Sequence, residues 1–177
     1  MRRVVWLLDF DGVINVSKPR WSEKPHQRTL TFLLNSRVEQ WKIRWSPTLV
    51  ARIRMLAALE HVEVCWASTW CTSGDNGQPQ TRLLEEALGL PKLRDAFTAI
   101  SSPTQGAAGA AKLRAARGVL AAGDDLIWTD DEWTPGPGHP LREELTCDGR
   151  SLLIQPNQTR GLTREDLEEI ESWLRRV

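Results

Sequence analysis

The fold of this chain is restricted most strongly by short apolar runs that stop abruptly at acidic or hydroxyl side chains. There are three of them: Val4–Leu8 before Asp9, residues 62–67 before Ser68 and Thr69, and residues 126–129 before Asp130 and Asp131. Runs of this length with no polar face are typical of strands buried on both sides of a parallel sheet. The carboxyl ends of such strands meet at one edge, where ligands bind. The pattern therefore predicts three groups of polar side chains close together.

Helical patterns separate the predicted strands. Ser46 followed by Pro47 predicts a capped helix start, and apolar residues at helical spacing continue to about residue 60. Further helices are predicted over Thr81–Leu88, over residues 107–116 and after Thr163, and further short strands over residues 97–100 and 152–154. Strands that alternate with helices predict a Rossmann-like three-layer α/β/α sandwich with a mainly parallel sheet.

Residues 16–45 have a different pattern, which predicts a flap rather than another layer. After a loop, residues 29–34 and 38–45 alternate apolar and polar side chains around Asn35 and Ser36, as expected for a half-exposed β-hairpin. The segment is too short for a large helical insertion. We therefore expect one domain over residues 1–177, with a small flap as its only cap.

The charge balance is neutral, with 23 basic and 23 acidic residues. This argues against a protein whose affinity comes mainly from neutralising many nucleic-acid phosphates, although a local basic patch is compatible with it. The apolar fraction of 41% and the charged fraction of 26% are those of a soluble globular protein.

The expected location is the cytoplasm, without a membrane partner. The three cysteines have no metal-ligand spacing and are interpreted as reduced thiols. The apolar run near the N-terminus meets Asp9 too soon for a signal peptide or a membrane span.

Asp9 and Asp11 are the first residues that indicate chemistry. Two positions apart on an extended segment, their side chains point the same way, and two close carboxylates need a cation or a shared proton. Mg²⁺ prefers one or two carboxylates together with substrate phosphate oxygens. Gly12 lets the chain turn just after the acids. Alone, the pair is equally well interpreted as a polar turn, but Asp130 and Asp131 supply further carboxylates at the same predicted edge.

Three other sets of residues give weaker signals. The hydroxyl of Ser68 or Thr69 is placed to hold a phosphate oxygen, although strand-end polarity is common. Lys112 supplies a cation for a nucleophile and a phosphate, although a single helical lysine is more often solvated. Asp124 and Asp125 precede their strand, which predicts a solvated turn at the opposite edge of the sheet.

The chain resembles the haloacid-dehalogenase-like (HAD) hydrolases at four motifs, which occur in order across residues 4–131. These are Asp9-Phe10-Asp11-Gly12-Val13, Cys65-Trp66-Ala67-Ser68, Lys112, and Leu126-Ile127-Trp128-Thr129-Asp130-Asp131. The segment Trp66-Ala67-Ser68-Thr69-Trp70 also resembles a small actinobacterial and phage branch of that superfamily, some of whose members are linked to RNA-repair proteins.

The resemblance implies a phosphatase. Asp9 would attack phosphorus and form an aspartyl-phosphate, and Asp11 would act as general acid and then as general base. Mg²⁺ would be held by Asp9, by the backbone carbonyl of Asp11 and by Asp130 or Asp131, with Asp130 preferred. An acid two residues after the nucleophile distinguishes phosphatases from the dehalogenases of the superfamily.

The resemblance also implies which residues meet the substrate. They are Phe10, Gly12, Ser68 or Thr69, and Lys112, which would balance the charge on Asp9 and the transferred phosphoryl group. Trp21, Trp70 and Trp133 lie in or beside predicted loops near the site and are able to stack on a base or sugar, although packing beneath the loops is the more common role for each of them.

Three functions remain open from the sequence. The preferred one is a phosphatase for a small phosphorylated metabolite or nucleotide. The second is a nucleic-acid end-processing phosphatase, whose backbone contacts would come from basic residues near the flap: Lys18, Arg20, Lys24, Arg28, Lys42 and Arg44. The third is a non-catalytic binding module, against which the presence of Asp9, Asp11, Lys112 and Asp130 argues.

Overall fold

A central five-stranded sheet and a separate hairpin form the β-structure of the computed structural model, which describes residues 2–75, 77–97 and 105–177. The strands are β1 (Val4–Leu8), β2 (His26–Leu34), β3 (Arg37–Trp45), β4 (Val62–Trp66), β5 (Arg94–Asp95), β6 (Asp125–Thr129) and β7 (Ser151–Ile154). The helices are α1 (Pro47–Ala57), α2 (Thr81–Leu88), α3 (Gln105–Ala121), α4 (Pro140–Thr146) and α5 (Arg164–Leu174), and Thr69–Cys71 is a single 3₁₀ turn.

The central sheet is parallel throughout and has the strand order β5-β4-β1-β6-β7. The chain moves outward from β1 through β4 to β5 and then returns to the other side of β1 for β6 and β7. The direction of winding therefore changes between β1 and β6, and a crevice forms beyond the strand ends at such a point. This arrangement confirms the predicted Rossmann-like α/β fold.

The sheet is apolar on both faces because alternate strand residues enter two different cores. Trp6 and Leu8 pack in one core with apolar residues of α1 and α5, whereas Val5 and Leu7 pack in the other with residues of α3 and α4. Burial on both faces explains why the strand sequences are continuous apolar runs rather than alternating ones.

The predicted hairpin is present and is longer than expected, because β2 begins at His26. Its turn residues Asn35 and Ser36 have φ angles of 52° and 59°, as a two-residue hairpin turn of this hand requires. Asp75 holds this turn from the loop after β4, since its carboxylate accepts hydrogen bonds from the backbone N–H groups of Asn35 (2.8 Å) and Ser36 (2.6 Å). The flap is thus fastened to the body of the protein at its tip.

The strand predicted over residues 97–100 lies, beyond Phe97, outside the described residues and stays a prediction, and the short strand β5 precedes it. The structure differs from the sequence expectations in two other respects. Helix α4 was not predicted, because its few residues follow a loop rich in proline and glycine. Asp125 is 3% exposed, not solvated, because it begins β6 beneath the N-terminal segment. Among the described residues, no helix is both long and apolar enough to cross a membrane.

Candidate active site

The acidic residues that follow β1 and β6 meet at the point where the winding of the sheet changes. The backbone N–H of Asp9 donates to the carbonyl of Thr129 at 3.1 Å, so the segments that leave the two strands run side by side. Asp9, Asp130 and Asp131 each offer a carboxylate oxygen, and these three oxygens lie within 4.8 Å of one another. The spatial grouping expected for these residues is therefore present.

Lys112 connects two of these carboxylates. Its Nζ donates to Oδ2 of Asp9 at 2.5 Å and to Oδ2 of Asp130 at 2.6 Å, and the whole residue is 2% exposed. Burial opposes the ammonium charge, but the two carboxylates outweigh it and raise the pKa of Lys112 above its ordinary value. The lysine is therefore a buried, charged partner of the acids, not the solvated helical residue that its sequence alone also allowed.

The two acids after β6 have different surroundings. Asp130 is fully buried, and its second oxygen accepts hydrogen bonds from the backbone N–H groups of Glu132 (3.0 Å) and Trp133 (2.7 Å). Asp131 is half-buried, lines the cleft described below and lies against Gly12, where an added Cβ would overlap its carboxyl group. Asp130 is thus anchored by several donors, whereas Asp131 faces the open side of the cluster.

The cluster contains more negative charge than Lys112 neutralises. Burial, reinforced by repulsion from Asp130 and opposed by Lys112, raises the pKa of Asp9 to about 7. Burial and the same repulsion raise the pKa of Asp131 to about 6. Because all the donors are carboxylate oxygens, the residues present fit a hard divalent cation such as Mg²⁺, which would relieve this repulsion.

Asp11 lies outside this cluster and is held by two different donors. Asn15 Nδ2 donates to Oδ1 of Asp11 at 2.7 Å, and Trp70 Nε1 donates to Oδ2 at 2.9 Å. Each carboxylate oxygen therefore has its own N–H partner. Asn15 was not predicted as a site residue, and Trp70 was expected near the site only as a ring able to stack on a base or sugar. The only signal for Asn15 was its place in the turn after Gly12.

The hydroxyl residues after β4 occupy different positions. Ser68 is fully buried, and its hydroxyl forms no hydrogen bond of ordinary geometry among the described residues. It is close enough to Asp9 to oppose slightly the rise in the pKa of that carboxyl group. Thr69 is exposed and lines the cleft. Phe10 is fully buried, with edge contacts to the rings of Trp66 and Trp70, so only its backbone is available to a substrate.

A cleft of about 260 Å³ opens above the acids. Besides the acidic residues and Lys112, it is lined by Gly12, Thr69, Ala108, Glu132, Trp133 and Gln158. Trp133 lies against α3 at Gly109, where an added Cβ would overlap its indole ring. Gln158 was missed, although a loop that follows the end of β7 was bound to lie at this edge of the sheet.

Packing and capping contacts away from the acidic cluster account for Trp21, His26 and His139. Trp21 is half-buried against the core, and its Nε1 donates to the carbonyl of Leu162 at 3.0 Å. His139 caps α4 by accepting a hydrogen bond from Leu141 N–H, and exposed His26 packs on Trp45. Within the described part of the chain, neither of these histidines lies in the acidic cluster.

The parallel sheet, the acids at two strand ends and the buried lysine between them define the class as a HAD-like fold, on which phosphatase-type hydrolases are built. The chain belongs to the family of HAD domains in Swiss Army Knife RNA repair proteins, whose model matches residues 5–167. No curated protein sequence and no solved structure is significantly similar to the chain. The family match confirms the HAD-like resemblance, including the closer resemblance to the RNA-repair branch.

Gly12→Ala is expected to displace the Asp131 carboxylate. Gly12 has a φ of 71°, and an added Cβ would also overlap the carboxyl group. We expect a stability loss of about 1–3 kcal/mol from these two effects. A displaced Asp131 carboxylate is also expected to weaken the binding of a hard cation such as Mg²⁺ at the acidic cluster by at least about tenfold. The measurements are thermal denaturation and Mg²⁺ titration by calorimetry.

Gly77→Ala is the matched control for this variant. Gly77 has a φ of 72°, but nothing lies within 4 Å of its added Cβ. The Gly77→Ala variant therefore measures only the loss of stability from placing alanine at a positive φ. Equal effects of the two variants on Mg²⁺ affinity would contradict a role in cation binding for the Asp131 carboxylate beside Gly12.

Proposed function

We propose that the chain is a Mg²⁺-dependent phosphatase that hydrolyses phosphomonoesters through an aspartyl-phosphate on Asp9. The observation that carries this proposal is the ion pair of buried Lys112 with Asp9 and Asp130, next to the carboxylate of Asp131. Such a group is costly for a structural core, because the lysine leaves part of the negative charge uncompensated. In a site that binds a cation, the same excess of negative charge attracts the cation, and Lys112 is available to the phosphoryl group.

Asp9 is oriented for attack by fixed donors on both oxygens. The backbone N–H of Phe10 donates to Oδ1 at 2.7 Å, and Lys112 donates to Oδ2. The ammonium favours the ionised carboxylate, which is the nucleophilic form, and is also near enough to stabilise charge on the transferred phosphoryl group. Positioning and electrostatic stabilisation are the main contributions that a protein makes to phosphoryl transfer.

Asp11 is proposed to donate a proton to the leaving oxygen and later to accept one from the attacking water. Its carboxylate lines the same cleft as Asp9 and Lys112. Thr69 on the cleft wall is proposed to contact the phosphate together with the backbone of Gly12, and Ser68 is proposed to support Asp9 from below. Asp11, Gly12 and Thr69 are given these roles because all three line the cleft.

Asp9, Asp131 and the backbone carbonyl of Asp11 are the proposed Mg²⁺ ligands, with Asp130 anchoring Lys112 beside them. When bound, the ion would neutralise charge on the phosphoryl oxygens. We favour Asp131 over Asp130 as the direct ligand, in contrast to the preference from the sequence, because the oxygens of Asp130 already accept three hydrogen bonds.

The proposal is tested by the hydrolysis of 4-nitrophenyl phosphate with and without Mg²⁺. We expect turnover that requires Mg²⁺ and that disappears when EDTA removes it. In the same samples, Mg²⁺ is expected to raise the melting temperature of the native chain by several degrees and that of Asp131→Asn by less, because binding to the folded state stabilises it. Rapid hydrolysis of aryl phosphates that is unaffected by EDTA would contradict the proposal.

An RNA end is the second candidate substrate class, and the family match is the observation that favours it over a small metabolite. The described structure is compatible with this candidate. The flap exposes basic residues (Lys18, Arg20, Lys24, Arg28 and Lys42) and the ring of Trp41, which is 46% exposed. Exposed cations and an aromatic ring are the groups that hold the backbone and the bases of single strands.

The two substrate classes are separated by comparing 3′-phosphorylated oligoribonucleotides with free nucleotides and sugar phosphates at several salt concentrations. For an RNA end, kcat/KM is expected to be higher for the oligonucleotides and to fall steeply with salt, since phosphate contacts release counterions. A preference for free nucleotides without salt dependence would favour the small-metabolite phosphatase instead.

A further inference from the structure

We propose that Trp70 and Asn15 are positioning residues that fix the carboxylate of Asp11 for proton transfer to the leaving oxygen, and that the β2–β3 flap holds both of them in place. This inference rests on the proposed function. It assigns a role to two residues that lie outside the acids, the lysine and the hydroxyls of the four motifs.

Trp70 is buried beneath the flap and contacts both of its strands. It is 4% exposed, and its indole makes edge contacts with the rings of Phe10 (5.7 Å), Phe32 of β2 (5.6 Å) and Trp41 of β3 (5.6 Å). Its Nε1 donates to Oδ2 of Asp11 at 2.9 Å. A buried indole usually needs a partner for its N–H, and here that partner is the proposed general acid.

Asn15 connects the other oxygen of Asp11 to the same flap. Its Nδ2 donates to Oδ1 of Asp11 at 2.7 Å, and its Oδ1 accepts a hydrogen bond from the backbone N–H of Arg44 in β3 at 2.8 Å. Because both ends of the amide are occupied, its orientation is set by β3. The flap therefore reaches Asp11 by two routes, one aromatic and one through hydrogen bonds.

Two separate donors fix the plane and the direction of the Asp11 carboxylate. A general acid is effective only when it is within hydrogen-bond reach of the atom that it protonates. Losing one donor would let the carboxylate rotate, while the residues of the acidic cluster stay the same. The consequence is specific, because proton transfer matters for a poor leaving group, such as an alkoxide, and hardly at all for 4-nitrophenolate.

The test is kcat/KM of Trp70→Phe for phosphomonoesters whose leaving groups range from 4-nitrophenol to simple alcohols. This ratio reports phosphoryl transfer to Asp9 and is independent of the later hydrolysis step. We expect about a 10- to 100-fold loss for alkyl phosphates and less than about a threefold loss for 4-nitrophenyl phosphate. Asn15→Ala is expected to show the same dependence on the leaving group.

Trp66→Phe is the matched control. Trp66 is also buried and also packs on Phe10, but its Nε1 donates to Glu85 at 3.2 Å, away from Asp11. It loses an indole N–H without loss of a donor to the general acid, so its effect on kcat/KM is expected to be the same for every leaving group. Thermal denaturation of both variants shows whether either of them is unfolded in the assay.

Failure of the positioning role and failure of the phosphatase activity give different results. A loss in Trp70→Phe that is equal across the series, or no loss, would overturn the positioning role while leaving the phosphatase intact. A native chain without Mg²⁺-dependent turnover of any phosphomonoester would overturn the proposed function and the inference with it.

Discussion

Asp9→Asn is expected to lower kcat/KM for aryl phosphates by at least about 10⁴-fold, because the amide oxygen has almost no nucleophilicity toward phosphorus. Asparagine has nearly the shape of aspartate, so the backbone N–H of Phe10 keeps an acceptor at this position. Lys112 keeps its second partner, Asp130, at 2.6 Å. The loss therefore reports removal of the attacking carboxylate and not collapse of the site.

The stability of the Asp9→Asn chain is expected to change in a different way from its activity. Because burial and Asp130 raise the pKa of Asp9 to about 7, its ionised form is costly in the metal-free protein, and a neutral residue removes that cost above this pH. We expect a metal-free melting temperature at pH 8 no lower than that of the native chain. Asp148→Asn, which alters an exposed acid that contacts Arg150 away from the flap and the cleft, serves as the activity control.

Lys112→Met is expected to destabilise the protein by about 3–5 kcal/mol, the usual cost of removing one partner from a buried ion pair. The lysine side chain is 3% exposed, and its carboxylate partners Asp9 and Asp130 are 9% and 0% exposed. Methionine fills a similar volume but leaves both carboxylates without their shared cation. We also expect a fall in kcat of at least about 10³-fold, because the phosphoryl charge loses its fixed partner.

Arg117→Met is the matched control for the lysine variant. Arg117 lies on the same helix, α3, and pairs with Glu144, but both side chains are 53% exposed. An exposed pair contributes less than about 1 kcal/mol, so this variant is expected to keep nearly all stability and activity. Chemical denaturation of both variants measures the difference. Similar free energies of unfolding for the two would show that the buried group is not the electrostatic centre described above.

The position of the site could be predicted from the sequence because its main signal is local. An apolar run that ends at Asp9, and another that ends at Asp130, indicate buried parallel strands whose ends share one edge. The pattern of residues 29–45 likewise predicted the flap, since the alternation and the turn residues Asn35 and Ser36 are sufficient for a hairpin. Both features depend on neighbouring residues in the chain.

The connections between these parts could not be predicted, because they depend on side chains from distant segments. Trp70 is 59 residues from Asp11, and nothing in its local pattern indicates that its N–H faces a carboxylate. The difference between Asp130 and Asp131 likewise depends on the direction in which each side chain leaves the strand end. Helix α4 is short, so its periodicity was too weak to be recognised beside the preceding loop.

The central claim, that Asp9 carries the phosphoryl group, is tested most directly by trapping the phosphorylated chain. The native protein is mixed with excess substrate and Mg²⁺, quenched in acid within milliseconds and digested for mass spectrometry. We predict a phosphoryl group on Asp9 in the native chain, and none anywhere in Asp9→Asn. A phosphoryl group on a different residue, or undiminished turnover by Asp9→Asn, would contradict the account.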